Sequence, residues 1–347
     1  MASGRPKSLP NSLPARYATQ RGRARAVCAA PALAALVLST FPALAGIGSG
    51  GGAADAAERA AVADARPQAG TEVARGSRGA PGDDPLAALR GAAERGDPQA
   101  QYELGLMLET GSGVEADADQ ALDWYRRSAR LGYAPAQNNL GAMLARGLGV
   151  RRDLAEAVKW YRLAARQGYV EAFYNLGLAH SEGRGVTPDE GEAVRLYSEA
   201  AKRGHGLAQV NLGLMYAQGR GVERDLATAA QWYRRAAALG LAQAQYNLAN
   251  AYMLGLGVPP DARQAAEWYR RAALQDFDKA QYNLGMLYGK GEGVERDYIE
   301  AAMWLTLAAR EGHARAASFL QELRPLMSPE QSEQVARRIE ERQFDRD

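Results

Sequence analysis

The chain has 347 residues, of which 42 are lysine or arginine and 40 are aspartate or glutamate, so its formal net charge is +2. This balance excludes a strongly basic nucleic-acid-binding arm and an acidic tail as the main character of the protein. A single cysteine excludes an intramolecular disulfide framework and a thiolate metal cluster, and three histidines leave few options for a metal enzyme. We therefore expect no metal and no other cofactor.

The first 45 residues have the pattern of a secretory signal peptide. They hold six basic residues and no acidic one, and their last part, Ala26–Ala45, is an uncharged, largely apolar stretch. The stretch ends in Ala43-Leu44-Ala45, a small-x-small motif typical of cleavage sites. Cleavage there would leave a chain that begins at Gly46, lacks cysteine and carries a charge of about −4, so its stability would come from packing alone.

Two other interpretations of this segment stay open. The 20 residues Ala26–Ala45 are enough to span a bilayer as an uncleaved anchor. The arginine-rich, acid-free start also fits an organellar transit peptide. We expect a periplasmic or secreted protein, with attachment to the inner membrane as the alternative if the stretch is kept.

Residues 46–84 have the composition of a flexible linker. Glycine, alanine and polar residues dominate there, and aromatic residues are absent. Such a segment cannot bury enough apolar surface to offset the conformational entropy lost on ordering. We predict a disordered linker over 46–84.

From Pro85 onward the sequence repeats with a period of 36 residues, which is typical of repeat architectures. All five tryptophans lie in one column of this repeat, and Leu196 fills the column's remaining position. A G-x-G-V motif recurs with the same step, beginning at Gly111. The tryptophan column is Trp124, Trp160, Trp232, Trp268 and Trp304, and a leucine column is Leu104, Leu140, Leu176, Leu212, Leu248 and Leu284.

Each repeat unit is predicted to consist of two helices, A and B. In unit 2 the apolar residues Ala157, Trp160, Tyr161, Ala164 and Ala165 are spaced as one face of helix B. Helix A is expected to start near residues 98, 134, 170, 206, 242 and 278. In unit 3 the pattern predicts helix A over Val170–Glu182 and helix B over Glu190–Arg203.

An aspartate precedes every helix B, where its side chain can accept hydrogen bonds from free backbone N–H groups. Glutamate or glutamine follows three residues later in five of the six units, which predicts capping boxes, and Thr228 is the exception. The aspartates are Asp117, Asp153, Asp189, Asp225, Asp261 and Asp297.

Glycine fills two further columns with different expected roles. One column follows helix B and contains Asp276; because aspartate tolerates φ > 0, we predict a left-handed cap residue there. The other lies within helix A and contains Ala249; because alanine is small but a poor left-handed residue, we predict a close helix–helix contact. The columns are Gly96, Gly132, Gly168, Gly204, Gly240 and Gly312, and Gly105, Gly141, Gly177, Gly213 and Gly285.

The pattern A-x-A-Q-Y-N-L-G-x-x-Y…G-x-G-V…D-x-x-x-A-x-x-W-Y-R-R-A-A-x-x-G resembles the Sel-one-like repeat family, a relative of the tetratricopeptide repeat. The resemblance covers residues 85–321 and implies an all-α fold, a right-handed α/α solenoid. We predict a solenoid over 85–323 with six full units, preceded by a partial helix B at Leu86–Arg95 and followed by a seventh helix A at Ala314–Leu323. Residues 324–347 are predicted to form a C-terminal capping helix, begun by a capping box at Ser328, and a tail.

The resemblance also implies a function. Members of this family act as adaptors, and exported bacterial members are implicated in envelope assembly, exopolysaccharide control and sensor regulation. Some cysteine-rich members are linked to β-lactam binding or hydrolysis, but this chain lacks those cysteines. We therefore expect a non-enzymatic scaffold that binds a protein or peptide, with a membrane-anchored organiser as one alternative.

Enzyme motifs are nearly absent, and we assign no catalytic residue. The G-x-G-V motifs follow a helix rather than a strand and are interpreted as turns instead of phosphate-binding loops. His180 takes a position that other units fill with tyrosine, and we interpret it as a packed variant of that tyrosine. The remaining enzymatic alternative is a hydrolase that uses His180 with Glu182.

Three other columns are interpreted as structural. The tryptophan column shares its face with Ala157 and Ala164, so we expect core packing. Arginine pairs such as Arg234-Arg235 are expected to lie on a solvated surface, and the net charge argues against a nucleic-acid partner. The asparagine column (Asn139, Asn175, Asn211, Asn247 and Asn283) is either a peptide clamp or a set of structural bonds to loop backbone inside each unit, and we favour the structural role.

A second face of helix A is the candidate binding surface. Beyond its packing face, helix A carries a further apolar stripe, and an extended or helical peptide would suit such a stripe along a concave groove. Packing between units is the alternative role for the stripe. The predicted peptide-binding groove consists of Tyr102, Leu106, Asn138, Tyr174, Leu178, Leu214, Tyr246, Asn250, Tyr282 and Met286.

The interpretation of residues 1–45 predicts the start of the exported chain. If the segment is a cleaved signal peptide, N-terminal sequencing of protein recovered from the envelope fraction should begin at Gly46. A chain that keeps Ala26–Ala45 and sediments with membranes would contradict cleavage and support the anchor.

Overall fold

The computed structural model describes residues 84–344. The predicted targeting segment and the predicted linker up to residue 83 lie outside the described residues. The helices are α1 Pro85–Glu94, α2 Pro98–Thr110, α3 Ala118–Arg130, α4 Ala134–Arg146, α5 Leu154–Arg166, α6 Val170–Glu182, α7 Glu190–Lys202, α8 Gly206–Gln218, α9 Leu226–Ala238, α10 Ala242–Leu254, α11 Ala262–Ala273, α12 Asp278–Lys290, α13 Tyr298–Arg310, α14 Ala314–Leu323 and α15 Pro329–Phe344.

The helices stack in chain order, each against the next, up to α14. Units 1 to 6 begin at α2, α4, α6, α8, α10 and α12, which are their helices A, and every predicted start of helix A is confirmed. The seventh helix A also has its predicted bounds, Ala314–Leu323. No strand occurs between residues 84 and 344, so the predicted all-α solenoid is confirmed.

The predicted aspartate caps are present at every helix B of the six units. In unit 2, for example, a side-chain oxygen of Asp153 accepts a hydrogen bond from the backbone N–H of Glu156 at 2.9 Å. The predicted capping box is wrong in one respect for these units: the Glu or Gln side chain does not bond the backbone N–H of the aspartate. The backbone N–H of Asp153, for example, donates to the carbonyl oxygen of Leu144 in helix A. The tight loop between the helices therefore supplies the acceptor that Glu or Gln would otherwise provide.

The predicted capping box of the C-terminal helix is complete. The backbone N–H of Ser328 donates to Gln331 Oε1 at 2.9 Å, and the Gln331 N–H donates back to Ser328 Oγ at 3.2 Å. Here no preceding carbonyl competes for the Ser328 N–H, so the reciprocal pair forms.

Both predicted roles of glycine are confirmed. Asp276 adopts φ 60°, as expected of a left-handed residue that follows helix B. Within helix A, a Cβ on Gly177 would lie 2.6 Å from the Tyr197 ring, so the glycine lets the tyrosine of helix B approach the backbone of helix A. The tyrosines Tyr125, Tyr161, Tyr197 and Tyr233 make this same contact in units 1 to 4, and Leu305 replaces the tyrosine in unit 6.

In units 2 to 6 the second glycine of the G-x-G-V motif joins consecutive units, a role that the sequence did not indicate. Gly257 has φ 75°, and a Cβ there would collide with the carbonyl group of Leu226, in the first turn of helix B of the preceding unit. The loop backbone therefore packs directly on the backbone of its neighbour, and only glycine fits. Gly149, Gly185, Gly221 and Gly293 are in the same situation.

A buried glutamine ties helix A to the preceding helix B. Gln101 Nε2 donates to the carbonyl oxygen of Ala93 at 3.0 Å, and this carbonyl at the end of the helix also accepts a bond from the Gly96 N–H. Phe173 takes this position in unit 3. The other members are Gln137, Gln209, Gln245 and Gln281, and each donates to the alanine carbonyl eight residues earlier. The recurrent A-x-A-Q pattern was the available signal, but its role depends on contacts between units.

The C-terminal helix α15 packs against α13, the helix B of unit 6. Val335 and Ile339 are buried in the same core cluster as α13. Arg338 forms an ion pair with Glu300, and the Arg342 guanidinium lies over the Trp304 ring at 4.6 Å. The predicted capping helix therefore covers the tryptophan of the last unit.

No helix in the range 84–344 combines the length and apolar character required to cross a bilayer.

The glycine contacts predict a measurable difference between two substitutions. Gly240→Ala should lower the free energy of unfolding by about 1 kcal/mol, because φ is 89° there but a Cβ would meet nothing within 4 Å. Gly257→Ala should lower it by about 3 kcal/mol, since the methyl group also displaces the neighbouring unit. Urea denaturation followed by circular dichroism measures both, and equal losses would contradict the role of Gly257 as a contact between units.

Candidate peptide-binding surface

The ten predicted groove residues fall into two groups according to their exposure. Four are buried, with exposed fractions of 6% for Asn138, 2% for Tyr174, 8% for Tyr282 and 6% for Met286. These four residues do not line an open surface. They pack between units, which was the alternative role considered for the stripe. The other six keep part of their surface accessible: Tyr102, Leu106, Leu178, Leu214, Tyr246 and Asn250.

The tyrosines of this row lie in aromatic clusters at the junctions between units. The Tyr102 ring lies 5.8 Å from Tyr125 in helix B of its own unit and 5.4 Å from Tyr133, the N-cap of the next helix A. The Tyr174 ring stacks on His205 with 4.5 Å between the ring centroids. Each ring therefore bridges three helices, with Tyr133 as the N-cap partner of Tyr102 and His205 as that of Tyr174.

The asparagine column supports the structural role, but with partners that differ from the expected loop backbone. Asn139 Nδ2 donates to the Tyr125 hydroxyl at 3.2 Å, and that hydroxyl donates to the Glu109 carboxylate at 2.8 Å. Asn175 Nδ2 donates to Asn138 Oδ1 at 2.8 Å. The expectation of bonds inside each unit is wrong for these residues, because the asparagine reaches back to the preceding unit.

The tyrosine hydroxyls at these junctions stay neutral to a higher pH than an ordinary tyrosine hydroxyl, because their pKa is raised. Burial is the main cause that raises the pKa of Tyr102 and of Tyr174, each to about 12. For Tyr174 the charge of Glu182 acts in the same direction, and the hydrogen bond with Asn211 opposes it. A neutral hydroxyl can both donate and accept, so the partly exposed Tyr102 can offer a ligand a polar contact without charge.

The tryptophan column lies at the edge of the core. Trp304 is 4% exposed, whereas Trp124, Trp160, Trp232 and Trp268 are partly exposed and pack against the core clusters. Packing explains this column, as expected.

The arginine pairs make specific contacts despite their exposed position. The Arg235 guanidinium lies over the Trp232 ring at 4.5 Å, and Arg234 donates to the Tyr252 hydroxyl of the next unit at 3.1 Å. One arginine of the pair therefore covers the tryptophan while the other links two units.

The residues of the hydrolase alternative have different neighbours. Glu182 forms an ion pair with Arg184. His180 Nδ1 is buried without a hydrogen-bond partner. Between residues 84 and 344 no group of three or more His, Cys, Asp or Glu side chains could hold a metal ion.

The raised tyrosine pKa values predict a loss of stability in alkali. The tyrosines of the unfolded chain ionise near their ordinary pKa of 10.0, whereas Tyr174 in the folded chain ionises near 12. The stabilisation from the neutral Tyr174 hydroxyl is therefore complete below pH 10 and is lost as the pH rises through 12. Tyr174→Phe should make the decline of the urea midpoint between pH 10 and 12 less steep, and the more exposed Tyr298→Phe serves as the control. An unchanged decline in Tyr174→Phe would contradict the assignment.

Comparison with known proteins identifies the repeat. Six consecutive segments match the Sel1 repeat, at residues 98–133, 134–169, 170–205, 206–241, 242–277 and 278–313. The comparison with curated proteins gives no match.

Two solved structures resemble the chain over 65% and 72% of its length. A Sel1 repeat protein from Oxalobacter formigenes is 36% identical with a TM-score of 0.61, and the match covers 65% of this chain and 93% of that protein. A protective antigen from uropathogenic Escherichia coli strains, which displays an SLR fold, is 38% identical with a TM-score of 0.54. That match covers 72% of this chain and 62% of the antigen, so the chain spans less than two thirds of the antigen's length. The six repeats account for more than half of the chain, which therefore belongs to the Sel1 repeat family.

Proposed function

We propose that this chain is a non-enzymatic scaffold that binds a protein segment along helix A of successive units. Sel1 repeat solenoids are commonly scaffolds for protein interactions. The observation that carries the proposal is the row Leu106, Leu178 and Leu214, whose side chains stay partly exposed. Each lies two residues after a buried leucine of the packing face, so helix A has more apolar surface than its own core uses.

The buried leucines define the contrast. Leu104, Leu176 and Leu212 are 3%, 4% and 1% exposed and fill the interior of units 1, 3 and 4. A helix that only packed in the core would need one apolar face. The second row therefore offers an apolar strip that runs across the units.

Polar side chains border this strip. Asn139, Asn175 and Asn211 are partly exposed, and the neutral hydroxyls of Tyr102 and Tyr246 belong to partly exposed side chains. Amides and hydroxyls can bond the backbone of a bound segment, while the leucines contact its apolar side chains. An extended or helical peptide with a few aliphatic residues suits this composition.

The proposal includes a location in the bacterial envelope, which the composition of residues 1–45 supports. A scaffold exported to the periplasm, or held at the inner membrane by an uncleaved Ala26–Ala45, could act in envelope assembly, exopolysaccharide control or sensor regulation. N-terminal sequencing of the exported chain tests the location separately from the binding surface.

The groove is tested by polar substitution of its leucines. The double variant Leu178→Ser and Leu214→Ser should weaken binding of a peptide selected against the wild-type chain by at least about tenfold, because two apolar contacts are lost. Fluorescence anisotropy measures the affinity, and far-UV circular dichroism confirms that the helices persist. Tyr174 and Tyr282 are unsuitable for this test, because truncating a buried tyrosine leaves a cavity that destabilises the fold.

The matched control replaces two exposed leucines outside the groove. Leu131 and Leu239, at the ends of helices B, are 57% and 58% exposed. The variant Leu131→Ser and Leu239→Ser should bind the peptide with wild-type affinity. Equal weakening in both double variants, or none in the groove variant, would contradict the assignment of the groove.

A further inference from the structure

The contact between α15 and α13 shows how a helix docks on helix B of this solenoid. Arg338 pairs with Glu300, and Arg342 lies over Trp304 while its Nη2 donates to the carbonyl oxygen of Ala273 at 3.2 Å. The same nitrogen lies 3.8 Å from an Asp276 carboxylate oxygen. Trp304 Nε1 in turn donates to Glu300 Oε2 at 3.0 Å, so the carboxylate and the indole form one polar and aromatic seat for two arginines.

Helix α5 repeats this seat four units earlier. Its residues Glu156, Trp160 and Leu163 occupy the repeat positions that Glu300, Trp304 and Leu307 occupy in α13. We call these three positions of helix B the tryptophan face. The carbonyl that would correspond to that of Ala273 is the carbonyl of Ala129, at the end of α3.

The tryptophan face of α5 is open. Leu163 is 39% exposed, the Glu156 side chain is 38% exposed, and Trp160 is partly exposed. By contrast, Trp304 in the covered seat is only 4% exposed. No other part of the chain between residues 84 and 344 packs over α5 as α15 packs over α13.

The other units do not present this seat. In units 1, 4 and 5 an arginine replaces the leucine of the face and lies over its own tryptophan, at 4.5 Å for Arg127, 4.5 Å for Arg235 and 4.2 Å for Arg271. In unit 3 the tryptophan itself is replaced by Leu196. An arginine from outside the unit would therefore find an uncovered indole beside a glutamate only on α5.

Two residues of the α5 seat differ from those of α13. Lys159 takes the place of Met303 and pairs with Glu156 at 2.7 Å, and Gly132 takes the place of Asp276. Both changes disfavour a basic helix. Lys159 competes with an incoming arginine for Glu156, and Gly132 lacks the carboxylate that Asp276 provides near α13. We therefore expect α5 to bind such a helix more weakly than α13 binds α15.

We propose that the tryptophan face of α5 is a docking site for an amphipathic helix of a partner protein that carries two arginines one turn apart beside an aliphatic stripe. The chemistry of that helix is the chemistry of α15, where Arg338 and Arg342 flank Val335 and Ile339. Its arginines pair with Glu156 and cover Trp160, and its aliphatic residues contact Leu163. The site lies on helix B, so it is separate from the proposed groove on helix A.

The partner is assigned to another protein because the α15 helix of each copy already occupies its own α13. For a second copy to supply the occupant, its α15 would have to leave that seat and give up the Glu300, Trp304 and Asp276 contacts. A partner helix loses no such contacts when it binds.

The site is tested with a fluorescent peptide of residues 328–344 as the probe and the full chain as the receptor. The peptide should bind saturably, and Leu163→Lys should weaken binding at least about tenfold, because the lysine removes an apolar contact and repels the arginines. The matched control Leu239→Lys, at a leucine that is 58% exposed, should leave the affinity unchanged. Lys159→Met should tighten binding several-fold, since it restores the residue found in α13.

Two further measurements distinguish docking on α5 from binding elsewhere on the chain and from self-association. A peptide with Arg338→Gln and Arg342→Gln should fail to bind; equal binding would overturn the role of the arginines. Absence of saturable binding would overturn the site. Equal affinity of the wild-type chain and Leu163→Lys would also overturn it, because the peptide would then be displacing α15 from α13. Sedimentation of the wild-type chain should show no self-association, and a dimer abolished by Leu163→Lys would assign the site to a second copy instead.

Discussion

The close approach of helix B to helix A within each unit is the constraint on which the rest of the solenoid depends. A tyrosine ring lies directly on the backbone of helix A at a glycine, as Tyr197 does at Gly177, where even a methyl group would be too near. This contact fixes the spacing of the two helices and buries most of the tyrosine. The second glycine of the G-x-G-V loop then brings the next unit against helix B. The spacing of helices inside a unit and the spacing between units therefore both require glycine, which has no side chain.

With the helices held so closely, polar groups inside the stack need partners of their own. The buried glutamines donate to carbonyl oxygens at the ends of the preceding helices B, and the asparagines bond tyrosine hydroxyls or other asparagines across junctions. A repeat that buries its core only against its neighbours relies on such bonds at each junction. The same packing leaves two apolar strips partly exposed to solvent: the leucine row on helices A and the tryptophan face of α5.

These two strips show how one repeat can carry different binding properties in different units. The helix-A row is a property of several units together, because it arises from a shared position. The face of α5 is a property of one unit, since an arginine in place of Leu163 would cover Trp160 from within, as Arg127 covers Trp124. The end of the chain supplies the comparison, because α15 fills the corresponding seat on α13.

The sequence by itself determined the repeat, the starts of its helices A, the aspartate caps and the roles of two glycine columns. These follow from local rules: an aspartate caps the helix that it precedes, and Asp276 in a glycine column reveals a left-handed backbone. The sequence did not determine which side chains of helix A are exposed to solvent. Tyr102 and Tyr174 share one position in the repeat, yet Tyr174 is buried, because its surroundings come from three helices whose residues change from unit to unit. Which residues of helix A remain accessible, which loop glycine touches a neighbour and which tryptophan face is covered were decided only by the tertiary structure, since each depends on atoms contributed by a different unit.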